Sequence, residues 1–129
     1  MPASSPVGPL RAREEARRLR EPSRLEVLHS RSDNSEVIIC RGVLDYETCG
    51  ELDVIIERAL EVGVQRLRLD FAGLVMIDDA GLRCLRTTSQ RCRESGAVFE
   101  VDAGGPVREA IAASGIDELA AGPPDGGLT

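Results

Sequence analysis

The sequence predicts a small α/β domain, a mixed β-sheet of about four to five strands with helices packed against it, and three observations lead there. Apolar and polar residues alternate over Leu25 to Leu28 and over Leu67, Leu69 and Phe71, the period of two that a half-buried strand requires. Leu52, Ile55, Ile56, Ala59 and Leu60 recur instead at helical spacing. Runs of the two kinds then alternate along the chain as strand, strand, helix, strand, helix, strand, helix.

The first strand and the apolar run Val37 to Cys40 are separated by Ser32-Asp33-Asn34-Ser35, a cluster with turn chemistry, so the two form a hairpin. The first helix is preceded by Thr48, with Glu51 three residues on, the spacing of a capping box, and Gly63 ends it. The strand around Leu67 to Phe71 leads into Gly73-Leu74-Val75-Met76-Ile77-Asp78-Asp79. A second helix runs from about Ala80 to Glu94, burying Leu82, Leu85 and Cys92, and stops before Gly96. Gly81 sits where backbones come close, and Thr87, Thr88 and Ser89 face solvent. A strand over Val98 to Val101 follows. Pro106, in a first turn, opens a third helix through Val107, Ala110 and Ile111 that closes at Ser114-Gly115.

Length and composition bound the function. The 129 residues suit one domain, assigned to residues 23–120, with a mobile tail over 1–22 and a flexible one over 121–129. Aromatic residues make up 2% of the chain, so Val, Ile, Leu and Ala must fill the core. Residues 1–22 hold five Arg and three Glu, which leaves 11 basic against 19 acidic residues, a net of −8, in the rest. An acidic body with few rings has neither the basic grooves nor the stacking platforms that nucleic acids need, so the partner is expected to be a protein. No apolar run approaches the ~20 residues that span a bilayer, and the start lacks a signal peptide's apolar stretch, which places the protein in the cytoplasm without membrane insertion.

Cys40, Cys49, Cys84 and Cys92 include no C-x-x-C pair, and the single histidine, His29, lies far from them in sequence, so neither a metal nor another cofactor is expected. His29 belongs to the hairpin, so no nucleophile has a base beside it, and an enzyme is not expected. Gly104-Gly105-Pro106 lacks the spacing and the Lys of a phosphate-binding loop.

Three patterns carry a resemblance. Gly42-Val43-Leu44-Asp45, Ile77-Asp78-Asp79-Ala80-Gly81-Leu82, and Pro106-Val107-Arg108 through Ser114-Gly115-Ile116 follow in this order. They resemble the Gly-x-Leu-Asp, Asp-Ser-Ser/Thr-Gly-Leu and closing helix of the STAS family, the fold of bacterial anti-sigma factor antagonists and of transporter regulatory domains. The likeness covers about Leu25 to Leu119 and implies a non-enzymatic regulator. Its partner would be an anti-sigma factor of the Ser/Thr kinase type, whose capture frees a sigma factor for transcription; a homodimer remains open. The implied partner-binding residues are Asp45, Asp78, Asp79, Ala80 and Arg83.

In the family the first Ser of the second pattern is phosphorylated by the partner, which breaks the partnership. Asp79 stands at that position and Ala80 at the next, so no phosphorylation site is expected there. Two roles are open to Asp79: a partial mimic of phosphoserine, and a plain helix N-cap. Asp78 could likewise bond local backbone or face the partner, and Asp45 could cap a turn or face it. With no hydroxyl at the family position, cysteine oxidation is a rival control. Cys84 and Cys92, eight residues apart on one helix and so about 12 Å apart along its axis, are too distant to bridge, whereas Cys40 and Cys49 could each meet another cysteine. A subunit of a transporter or larger signalling assembly is the alternative within the same fold. A phosphorelay receiver does not fit, because the acidic pair follows the third strand and the chain has no Lys.

Overall fold

The computed structural model describes residues 24–116 and 118; the expected tails over 1–22 and 121–129 lie outside the described residues. Strands β1 (Leu25–Ser32) and β2 (Ser35–Leu44) form the expected hairpin, paired antiparallel from Leu25 opposite Gly42 to Ser32 opposite Ser35. Its two-residue turn places Asp33 at φ 55°, a left-handed conformation that Asp tolerates because its short polar side chain bonds locally. Helix α1 (Cys49–Glu61), strand β3 (Arg66–Ile77), helix α2 (Asp79–Ser95), strand β4 (Val98–Asp102) and helix α3 (Gly105–Ala113) follow. β3 runs parallel to β2 and β4 parallel to β3, giving one mixed sheet in the order β1-β2-β3-β4.

Alternation sorts the strand residues onto two faces. Ile38, Cys40, Leu67, Leu69, Phe71, Phe99 and Val101 are buried and join one core with Leu52, Ile56, Ala59, Leu85, Cys92, Val107 and Ile111 from the helices. Arg66, Arg68 and Val98 point the other way and are exposed. The α2 stripe differs from the expected one. Leu82 is only partly buried, on the margin of a stripe centred on Leu85 and Cys92, while Thr88 and Ser89 are buried instead of facing solvent. Both lie one or two turns along the stripe from Gly81 and Cys84, and both satisfy their hydroxyls: Thr88 Oγ1 donates to the Cys84 carbonyl at 2.8 Å and Ser89 Oγ to the Glu118 carboxylate.

The third strand is longer than its alternation indicated. It continues through Ile77 by way of two register shifts, between Ile39 and Arg41 and between Gly42 and Val43 of its neighbour β2. The shifts reverse the parity of burial: Phe71 is buried, Ala72 and Gly73 are exposed, and Leu74 is buried again. Val75 and Met76 are thereby left 70% and 42% exposed, just ahead of Asp78.

Candidate functional site

The parallel strands end, and all three helices begin, at one edge of the sheet, where ligands of open α/β sheets gather. Two loops meet there, Asp45–Thr48 after β2 and Asp78 after β3.

Asp45 is 6% exposed. Its Oδ1 accepts the amide N–H groups of Glu47 at 3.0 Å and Thr48 at 3.1 Å, and its Oδ2 lies 2.5 Å from Arg24 Nη2. Thr48 Oγ1 accepts the Asp45 N–H at 2.9 Å and donates to the Val43 carbonyl at 2.8 Å. The expected capping box at Thr48 is therefore replaced. Thr48 occupies the N-cap position with helical φ and ψ, which turns its side chain away from the orphan amides, and it makes no cap bond. Asp45 does take the turn-capping role open to it. Burial alone would raise its carboxyl; the bonds from Glu47 and Thr48, with the Arg24 guanidinium, more than offset that and hold it below the usual 3.8.

Asp78 joins the two loops. Its Oδ1 accepts the Gly81 N–H at 2.9 Å, as the N-cap of α2, and its Oδ2 accepts the Tyr46 N–H at 3.1 Å. Its own N–H donates to the Leu44 carbonyl at 3.2 Å. Gly81 must be glycine for this approach, because a Cβ there would sit 2.8 Å from the Leu44 oxygen and 2.7 Å from Ile77 Cγ1.

The capping role open to Asp79 falls to Asp78. The helix begins one residue earlier than expected, with Asp79 as its first helical residue. Asp79 is exposed, and among the described residues no hydrogen bond or ion pair holds its carboxylate. It presents a single negative charge at the positive end of a 17-residue helix.

Ala80 and Arg83 lie beside it, lining a cleft of about 310 Å³ between the first turns of α1 and α2 with Tyr46, Cys49, Asp53 and Cys84. Arg83 is exposed and Ala80 half-buried. Sequence reasoning missed three exposed apolar residues, Tyr46, Val75 and Met76. Tyr46 is 80% exposed in the loop after β2, and Val75 and Met76 are exposed at the end of β3, where successive side chains point to opposite faces of the sheet. The available signal was the run Leu74-Val75-Met76-Ile77, too long for alternation to bury every member.

A four-stranded sheet with three helices thus exposes, at one end, a capped helix start and an acid that is unbonded among the described residues. A family model described as "Mlab, STAS domain" matches residues 27–121, and the chain belongs to the STAS family. Among solved structures, it is similar to an anti-sigma factor antagonist from Mycobacterium paratuberculosis, at 24% identity over 78% of this chain and 89% of that one, with a TM-score of 0.69. The anti-sigma factor antagonist SpoIIAA in its unphosphorylated form shares 16% identity over 80% of this chain and 93% of its own, with a TM-score of 0.67. The Bacillus SpoIIAA in its phosphorylated form gives 15%, 80%, 96% and 0.64. At these identities the likeness is one of fold. No curated protein sequence matches the chain.

Proposed function

We propose that the protein binds an anti-sigma factor of the Ser/Thr kinase type through the edge formed by Asp78, Asp79, Ala80, Arg83 and the loop that Asp45 holds, and so releases a sigma factor by competition. It acts by binding and not by catalysis. The observation that carries this reading is the exposed Asp79, unbonded among the described residues, at the start of a helix whose cap is already supplied by Asp78. A residue that neither caps nor pairs is free to meet a partner, and it occupies the position of the phosphorylated Ser in the pattern the chain resembles. The neighbours that share the fold support the reading, since SpoIIAA takes both an unphosphorylated and a phosphorylated form.

Asp79 carries one charge, whereas phosphoserine carries about −1.5 to −2 and three strong acceptor oxygens. The mimicry is therefore partial, and the module sits nearer its released state than an unmodified Ser would leave it. The test is the affinity of the full chain for the anti-sigma factors of its own genome, with Asp79 and with Asp79→Ser. The Ser variant is expected to bind about tenfold tighter, or about 1.4 kcal/mol. Equally tight binding by both sinks the mimicry. Capture of a membrane transport ATPase in place of any anti-sigma factor replaces the proposed partner.

A further inference from the structure

We propose that Cys49 and Cys84 form an oxidisable thiol pair, closed by peroxide into an intramolecular disulfide that reshapes the loop bound to Asp78. Its regulatory meaning rests on the partner-binding reading above; its chemistry does not.

Both thiols line the cleft between α1 and α2. Cys84 Sγ donates to Asp53 Oδ1 at 3.9 Å, and Asp53 stands one helical turn after Cys49, where Cβ atoms are roughly 5–6 Å apart. Asp53 thus touches the Cys84 sulfur from the same helix that carries Cys49, and both cysteines face the one cleft. Burial pushes the Cys84 thiol up to about 12, with the Asp53 carboxylate and the Cys49 sulfur adding to the effect, so Cys84 does not meet oxidant as a thiolate. Of the other cysteines, Cys40 has its thiol raised mainly by burial and next by the nearby Cys84 sulfur, but it is closed to oxidant. Cys40 is fully buried, and Cys92 lies about 12 Å further along the α2 axis from Cys84.

Cys49 is the more exposed member and reacts first. Its sulfur attacks hydrogen peroxide, an S–O bond forms as the O–O bond breaks, and sulfenic acid and one water result. The Cys84 sulfur then attacks the sulfenic sulfur, and an S–S bond forms as the S–O bond breaks. The Cys84 proton passes by way of the Asp53 carboxylate to the departing hydroxide, giving the second water. Two thiols are oxidised and one peroxide is reduced, with no other reactant.

Closure acts on the site through short connections. The Cys49 N–H donates to the Asp45 carbonyl at 2.8 Å, its thiol donates to the Tyr46 carbonyl at 3.7 Å, and the Tyr46 N–H donates to Asp78. Drawing Cys49 toward α2 pulls on the loop that reaches the α2 cap.

The test treats the full chain with hydrogen peroxide, blocks free thiols and digests it with trypsin without reductant. Cleavage after Arg41, Arg58, Arg83, Arg86, Arg91 and Arg93 puts the four cysteines on four peptides. The expected product joins Gly42–Arg58 to Cys84–Arg86, and Tyr46 amide hydrogen exchange accelerates about tenfold in the oxidised protein. The half-buried Cys49→Ser, a mild change, should abolish both effects. Free or over-oxidised Cys49, a link to Cys40 or Cys92, or a correct link with unchanged Tyr46 exchange each overturns the proposal. Anti-sigma factor binding by the reduced and oxidised forms is read separately: its absence from both counts against the proposed partner and leaves the disulfide result standing.

Discussion

The two ends of the sheet each bury a carboxylate, and they hold it in opposite ways. At the binding edge, Asp45 takes two backbone amides, with the Thr48 hydroxyl 3.2 Å away and Arg24 on its other oxygen. At the hairpin end, Glu36 is 1% exposed and lies on the core face of β2, between His29 Nδ1 at 2.9 Å and Arg31 Nε at 2.6 Å. The side chains of His29 and Arg31 are 50% and 41% exposed. Backbone donors are fixed once the turn forms, whereas these two partners must be ordered out of solvent. The comparison teaches that the binding edge is organised by its own main chain, and the hairpin end by side chains that water can compete for.

The largest expected effect tests that contrast directly. Arg31→Ala leaves one oxygen of a buried carboxylate without its charged donor, and a cost of about 2 kcal/mol in urea unfolding is expected. Arg24→Ala leaves Asp45 with its amide bonds and removes a half-exposed partner, so it costs clearly less. Equal losses break the comparison, because main-chain donors would then confer no advantage.

The sequence showed this difference only in part. Element order, the hairpin and the glycine at position 81 were legible, since alternation, helical spacing and close backbone approach all leave marks on residue choice. The caps were not. Asp78 and Asp79 are chemically alike, and only the extended backbone at Asp78, φ −109° and ψ −172°, decides that it caps while Asp79 enters the helix. Thr48 and Glu51 have capping-box spacing, yet the turn held by Asp45 gives Thr48 helical dihedrals. Glu36 reads as a polar residue flanking a turn; its burial depends on register, which pairs Arg31 with it and sets His29 two pairs away on the same face. The exposed Val75 and Met76 follow from register shifts, which a continuous apolar run conceals.

A second, smaller effect is one of pH. The Asp45 carboxyl titrates below its usual 3.8 in the folded protein, so the unfolded chain binds its proton first as pH falls. Its contribution to stability is fully present above 3.8 and is lost as pH drops through the lower folded value. Asp45→Asn lacks this dependence. Urea midpoints of the wild type and Asp45→Asn should therefore differ most near neutrality and converge in acid. A gap that stays constant throughout removes the carboxylate's charge from the account of the loop.

The smallest expected effect sharpens the comparison to two adjacent residues. Asp78→Ala deletes the α2 cap and the acceptor for Tyr46, and is expected to cost about 1 kcal/mol. Asp79→Ala removes an exposed charge that bonds nothing among the described residues, and should change stability by no more than about 0.5 kcal/mol. Its favourable interaction with the helix dipole lies within that margin. Chemical denaturation of the two variants separates them. A loss at Asp79 as large as that at Asp78 would show that its carboxylate is structural, and the reason for assigning it to the partner would disappear; stability unchanged beside altered anti-sigma factor binding would leave recognition as its role.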